Sequence, residues 1–321
     1  METTPPTDSP GSGSATAFRH EALVYDDDAT FASTLAPFLA GAVRRREAAV
    51  AVVSRRNMGL LRDALGPDAG EVTFIDSDTW YERPAATIAG WKGLVDRALG
   101  SGRPAVRAVG EVTFGPGPRH DSWIRYESAA NDVFAAVPVW VICPYDTRRL
   151  PDRVIAGARR THPVLVGERG GPNALYEPPD DLLRALAEPL PPVGPEPLVV
   201  LALTGPERLR HARRTLEAIA RNLGWDQTAI AGLLLVVTEV AVNSLRHGGG
   251  DRRIQVWVEQ AAITCEVIDE GAGPVDPLAG YRPPVNPRSS GVGLWVANQL
   301  SEWLAVEHRD GVTRVRFRCR R

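Results

Sequence analysis

The sequence predicts two domains of different class: a three-layer α/β domain built on a parallel sheet, then a two-layer α+β sandwich. Three observations lead there. Short β-rich runs alternate with helical patterns through the first half of the chain, the signature of a sheet covered by helices. Five prolines then fall within residues 188–197, "EPLPPVGPEP", a density that neither a helix nor a central strand tolerates. Beyond them, helices and an antiparallel hairpin segregate along the chain, as in an α+β fold.

The elements follow in order. Residues 1–17, "METTPPTDSPGSGSATA", combine Pro, Ser, Thr and Gly without a basic or apolar core. They read as a disordered tail rather than a signal peptide. Within 18–187 the runs 22–25, 48–54, 71–75, 104–110 and 137–143 read as strands, and 28–43, 57–65, 86–99 and 121–136 as helices. Several of these strands are apolar on both faces, which a parallel sheet buried between helices requires. This half has no GxxxxGK[ST] loop and no GxGxxG after the first strand, so nothing in it marks a nucleotide site. After the proline-rich linker at 188–197, the domain at 198–321 opens on the strand "PLVVLAL" (197–203). In the helix at 206–222, Leu209, Ala212, Leu216 and Ile219 form an apolar stripe opposite arginines. A second helix spans about 227–246, with Asp226 as N-cap and Gly248 past its end. Strands 253–259 and 262–269 alternate around a short "QA" connection and read as an antiparallel hairpin. A Pro/Gly-rich segment (270–290), a helix from about 292 and a last strand (312–319) complete the chain.

Composition narrows the function. The 321 residues are 44% hydrophobic and 24% charged, with net charge −2. That balance suits a globular protein and argues against a general nucleic-acid or membrane-surface binder, which carries a strong basic excess. The arginines of "VRRRE" (43–47) and "TRVRFRCRR" (313–321) read as solvated faces on this near-neutral chain. No uninterrupted apolar run approaches the ~18 residues of a membrane span. Three cysteines, Cys143, Cys265 and Cys319, lie far apart with no CxxC pair, which suggests neither a disulfide framework nor a zinc motif. A cytoplasmic location is the default expectation.

Three stretches of the second half carry chemistry together. "TEVAVNSLRH" (238–247) places Glu239, Asn243 and His247 four residues apart on one stripe of an otherwise apolar helix. "DEGAG" (269–273) sets an Asp at a strand end before two glycines. "SSGVGLW" (289–295) opens a helix with two more. A strand-end carboxylate can accept from an exocyclic amine such as that of adenine. Glycines beside it let the backbone pass close to a ring, and a Gly-rich helix start offers N–H groups and a positive dipole end to phosphates. An Asn carbonyl oxygen is a hard ligand for Mg²⁺, and a carboxylate one turn away can orient or deprotonate an attacking hydroxyl or water. The segment 274–290 would then be a lid.

"ExxxN", "DxGxG" and "GxGL" in this order resemble the N, G1 and G2 boxes of the GHKL (Bergerat) ATPase fold, shared by gyrase, histidine kinases and the anti-sigma-factor serine kinases. The resemblance covers roughly 198–319, and the compact size and single short lid look most like the anti-sigma serine-kinase branch. It implies ATP and Mg²⁺ as cofactors, with Asn243 holding the metal, Glu239 as general base and Asp269 binding adenine. Gly271, Gly273, Gly291 and Gly293 would shape the lid and phosphate site, and Thr313 would lie near the adenine. In the first half, "FRHEALVYDD", "ICPYD" (142–146) and "RRTHPVLV" (159–166) resemble the MEDS sensory domain of bacterial regulators. The pairing is that of RsbA-type anti-sigma regulators. It implies a sigma factor and a STAS-type anti-anti-sigma protein as partners, phosphorylation of a Ser or Thr on the latter, and a small-molecule signal at the N-terminal domain. From composition no direct nucleic-acid or membrane contact is expected, and resemblance to the ATPase domain allows a homodimer. Two other readings stay open: an ATP-dependent binding module without kinase activity, and a histidine-kinase-type ATPase acting on a separate acceptor.

Other polar residues have plainer expectations. His247 reads as a helix-end residue favoured by the C-terminal dipole. His20 is not a phosphoacceptor, because such a His lies on a long hairpin helix just before the ATPase domain, where this chain has prolines. Cys143 follows an apolar strand and should be buried. His162 precedes Pro163 and belongs to a turn, with a sensory role as the alternative. Glu127 and Asn131 share a helical face and read as a solvated or buried hydrogen-bonding pair.

Overall fold

A computed structural model describes residues 17–115, 120–167, 170–186, 190–273, 276–282 and 292–321. The expected disordered tail lies outside these residues, except for Ala17. The chain divides into two compact units, Met1–Leu182 and Leu183–Arg321.

The first unit runs β1 (Arg19–Tyr25), α1 (Asp28–Arg44), β2 (Ala48–Val53), α2 (Arg55–Leu65), β3 (Val72–Asp76), α3 (Ser77–Trp80) and α4 (Pro84–Gly100). It continues with β4 (Val106–Gly110), α5 (His120–Val133), β5 (Val139–Asp146), α6 (Asp152–Thr161), β6 (Val164–Val166), β7 (Gly171–Pro172) and α7 (Pro179–Ala185), which spans the division. The sheet order is β3-β2-β4-β5-β1-β6-β7, parallel at every pairing except the short β6–β7 edge. Side-chain direction alternates along each strand. Leu23, Tyr25, Ala51, Val53, Trp140 and Ile142 therefore pack against Phe31, Leu35, Phe38 and Leu61 of α1 and α2. The intervening positions, among them His20, Ala108, Val141 and Cys143, share a cavity wall on the opposite face with Trp91 of α4 and Tyr126 of α5. Helices thus cover both faces, the predicted three-layer α/β arrangement. Asp27 caps α1, accepting from Thr30 N at 2.8 Å. The Arg107–Glu47 ion pair lies wholly inside: Arg107 Nε donates to Glu47 Oε2 at 2.6 Å, both side chains fully buried, with the guanidinium 4.7 Å from the Trp140 ring centroid.

The second unit contains β8 (Val199–Ala202), α8 (Pro206–Asn222), α9 (Gln227–His247), β9 (Arg253–Glu259), β10 (Ala262–Asp269), α10 (Val292–Leu300), β11 (Trp303–Arg309) and β12 (Val312–Cys319). Its sheet, β11-β12-β10-β9-β8, is antiparallel throughout. One face meets the helices: Ile254, Val256, Ile263, Cys265 and Phe317 share a core with Leu216, Leu233, Val237 and Ala297. This is the predicted two-layer α+β sandwich. By length and composition α9 could cross a membrane, although no uninterrupted apolar run in it is long enough. Its face at Ile230, Leu233, Val236, Val237, Val240, Ala241 and Ser244 is instead buried in this core. The other face of the sheet is polar. Glu266, 1% exposed, accepts from Arg314 at 3.0 Å and from Arg316 at 2.6 Å. Arg316 also donates to Pro191 O, and Gly194 N donates to Glu259 Oε1 at 3.2 Å, so part of the proline-rich segment is tied to this face.

Candidate functional site

The polar stripe of α9 is positioned from both ends of the helix. At the N-terminus Asp226 accepts from Ala229 N at 2.8 Å, and Thr238 Oγ1 donates back to Leu234 O within the helix at 2.5 Å. At the C-terminus Gly248 N donates to Ser244 O at 2.9 Å. Arg252 donates to Ser244 O at 3.1 Å and Gly248 O at 2.7 Å, satisfying carbonyls that a helix end leaves open. Between these anchors Glu239 and Asn243 are half-buried, while His247 is exposed.

Glycines close over that stripe. A Cβ added at Gly293, in the first turn of α10, would lie 2.6 Å from Glu239 Oε2 and 3.4 Å from Asn243 Nδ2. The absent side chain is what lets α10 sit directly against the two polar groups. Asn298 of α10 donates to Gly280 O at 3.2 Å, tying part of the 274–290 segment to the same helix. Only 276–282 of that expected lid is described, and Gly291 lies outside the described residues.

Asp269 ends β10 and is 6% exposed. Its Oδ1 accepts from Gly271 N at 3.0 Å, and among the described residues no donor reaches Oδ2. Register places Asp269 opposite Thr313 of β12. Gly248 and Gly271 wall the carboxylate in: an added Cβ would lie 2.6 Å from Asp269 Cγ at the first and 2.9 Å from Asp269 Oδ1 at the second. Gly273, at φ +75°, leaves its α-carbon hydrogen against His308, where a Cβ would come within 2.6 Å of the ring. The His308 Nδ1 in turn hydrogen-bonds Thr313 Oγ1 at 3.1 Å.

The C-terminal end of α9, the end of β10 and the start of α10 therefore converge. Asn243, Glu239 and Gly293 meet at one place, while Asp269, Gly271, Thr313 and Gly273 are linked around the next. Gly248, Arg252 and His308 join them without having been singled out as site residues from the sequence. The Gly248 wall and the Arg252 cap depend on contacts between segments, and His308 sits on β11, a strand that the periodicity reading passes over.

Chemically, the arrangement offers a carboxylate with one oxygen open to a donor, and an amide and a second carboxylate one helical turn apart. Glycine walls leave free the space that side chains would occupy. That combination fits a nucleotide with its divalent cation: Asp269 for an amine, Asn243 for the metal.

Residues 204–319 match the histidine kinase-like ATPase domain. Residues 19–163 match the MEDS family, described as the methanogen/methylotroph, DcmR sensory domain. The chain thus carries a MEDS domain followed by a GHKL-like ATPase domain. No curated protein matches it. Among solved structures, the RsbU and RsbW domains of a Mycobacterium tuberculosis protein are 20% identical, over 38% of this chain and 32% of that one, with a TM-score of 0.29. The flagellar accessory protein FlaH from Methanocaldococcus jannaschii is 12% identical, over 47% of this chain and 70% of that one, with a TM-score of 0.27. The chain spans about a third of the first of these structures, and overlap at such scores says nothing about function.

Proposed function

We propose that this chain, a MEDS domain joined to a GHKL-like ATPase domain, is a cytoplasmic ATP-binding anti-sigma regulator of the RsbA type. In this reading the second domain binds Mg-ATP and a sigma factor, and phosphorylates a Ser or Thr of a STAS-type anti-anti-sigma partner. The first domain receives a signal and biases that exchange. The observation that carries the reading is the convergence of Glu239, Asn243 and Asp269 beneath glycines whose side chains would press on those groups. The order of the three boxes along the chain supports the GHKL fold, and the compact size and single short lid support the anti-sigma branch.

Each residue then has a role. Asp269 Oδ2 accepts from the adenine amine, and Thr313, opposite it in the sheet, flanks the base. Asn243 would hold Mg²⁺, which with ATP supplies the phosphoryl group. Gly271, Gly273, Gly291 and Gly293 let backbone approach base and phosphates. Glu239 takes the hydroxyl proton of the acceptor Ser or Thr.

Titration calorimetry tests the nucleotide site. Removing one partner of a charge-assisted contact costs about 1.5–3 kcal/mol, so Asp269→Asn and Asn243→Ala should each weaken Mg-ATP binding by about ten-fold or more. Unchanged affinity in both variants removes the assignment. Labelled ATP with the partner tests transfer: phosphoserine or phosphothreonine should form with wild type and not with Glu239→Ala. Binding without transfer in wild type leaves an ATP-dependent binding module instead.

A further inference from the structure

Four buried side chains meet in the first unit, far from the nucleotide residues in sequence. They are His20 on β1, Glu127 on α5, Cys143 on β5 and His162 at the end of α6, and all are at most 4% exposed. One ligand-type atom from each lies within 4.8 Å of the other three. His20 Nε2 is 3.0 Å from Glu127 Oε2 and 3.5 Å from Cys143 Sγ. Glu127 Oε2 is 4.0 Å from Cys143 Sγ and 3.7 Å from His162 Nε2.

The hydrogen bonds around the cluster fix which atoms point inward. Asn131 Nδ2 donates to the carbonyls of Glu127, Ser128 and Thr161 at 3.3, 3.4 and 2.8 Å. Its Oδ1 is therefore the acceptor facing His20, 3.1 Å from Nδ1, and the His20 proton belongs on Nδ1. His162 Nδ1 lies 2.8 Å from Ala158 O, which assigns its proton in the same way. Both rings turn a bare Nε2 toward Glu127 and Cys143. His162 Nε2 is buried with no hydrogen-bond partner. Glu127 Oε1, the outward oxygen, accepts from Tyr145 OH at 3.2 Å.

We propose that His20, Glu127, Cys143 and His162 form a mononuclear site for a divalent transition-metal ion of the zinc class. Two imidazole nitrogens, one carboxylate oxygen and one sulfur are a ligand set for such an ion. Four of the six separations, at 3.0–4.0 Å, bracket the ~3.3–3.6 Å edges of a tetrahedron with ordinary zinc bond lengths, and all six lie within 4.8 Å. Each non-sulfur ligand is held from behind by a hydrogen bond, the outer shell that orients metal-binding His and carboxylate groups. Without a cation the same atoms leave a buried acceptor unmet and a carboxylate against two lone-pair nitrogens. Binding converts the Cys143 thiol to a thiolate and releases its proton. His20, Glu127 and Cys143 also wall an apolar cavity of about 30 Å³ lined by Tyr81, Trp91 and Phe134, room for one or two water-sized groups. The cavity therefore lies beside the cluster and faces it with aromatic rings.

The test uses the tag-free full chain, with metal content by mass spectrometry and anaerobic Co²⁺ titration followed by absorption. The expected result is one equivalent of bound metal and a thiolate-to-cobalt charge-transfer band saturating at one Co²⁺ per chain. Cys143→Ser should abolish that band while visible ligand-field absorption persists, and His162→Gln should weaken Co²⁺ binding at least ten-fold. Circular dichroism establishes that each variant is folded. If a variant fails to fold, the wild type decides, since Zn²⁺ must compete the band away at one equivalent. A folded wild type with neither metal nor band overturns the proposal, and so does a band that survives Cys143→Ser.

Discussion

Gly248 lies against Asp269 and Gly293 against Glu239 and Asn243, and what a side chain at each would strike is different. At Gly293 the nearest atom is Glu239 Oε2, the mobile end of a side chain. Gly293→Ala should change unfolding free energy by less than about 1 kcal/mol yet displace the proposed base, so phosphate transfer falls while the urea midpoint barely moves. At Gly248 a Cβ would come 2.5 Å from the Ser244 carbonyl oxygen as well as against Asp269. The backbone there is at φ −75°, open to any residue, so the cost is purely steric. Gly248→Ala should lose about 1–3 kcal/mol and weaken ATP binding as well; retention of both would show that Asp269 can move aside freely. Glu239, Asn243 and Asp269 were legible because helical spacing and strand ends are local properties of sequence. The role of Gly248 as wall was not, since it arises where the end of α9 meets the end of β10, and His308 as a neighbour of Thr313 was missed along with β11 itself.

The two hairpins of the second sheet show how far turn chemistry carries. The connection between β9 and β10 is Gln260–Ala261, at φ +49° and +62°, a two-residue turn that favours Asn and Gly. Trp225 Nε1 donates to Ala261 O at 2.9 Å and fixes it in place. Ala261→Gly should stabilise the protein by about 0.5–1 kcal/mol, the relief of left-handed strain less the added freedom of the unfolded chain; chemical denaturation reads this directly. The connection between β11 and β12 is Asp310–Gly311, also at positive φ, and is a strong hairpin signal. β11 was nonetheless missed, because only Ser301 and Glu302 separate it from α10 and no Gly or Pro breaks the two periodicities apart. In the first sheet, the Arg148 guanidinium hydrogen-bonds Asp146 at the end of β5 at 2.7 Å and holds its carboxyl below the usual range. A depressed folded-state pKa stabilises the protein above the unfolded value of about 3.9 and is lost as pH falls through the folded one. The urea-midpoint gap between wild type and Arg148→Met should therefore hold near neutrality and close below about pH 4; a gap independent of pH would assign Arg148 a packing role only.

At the scale of the whole chain, two compact units predict two unfolding events. Calorimetry should resolve two transitions, and Mg-ATP at a hundred times its dissociation constant should raise only one of them, by about 2.7 kcal/mol of stability. A single transition moved as a whole would mean that the units unfold together. The proline-rich stretch made two domains legible, although the compact units divide at Leu182 and Leu183, just before it. The buried cluster of His20, Glu127, Cys143 and His162 was not legible, because four elements supply one residue each and no spacing joins them. The attachment of the proline-rich segment to the second sheet bears on where that domain can be cut. Pro191 and Gly194 engage Arg316 and Glu259, and β8 pairs along β9 from Val199 to Ala202. A fragment trimmed to the ATPase family match, which begins at residue 204, would bare the β9 edge and invite strand addition between copies. A fragment beginning at residue 190 retains both the edge strand and its strap.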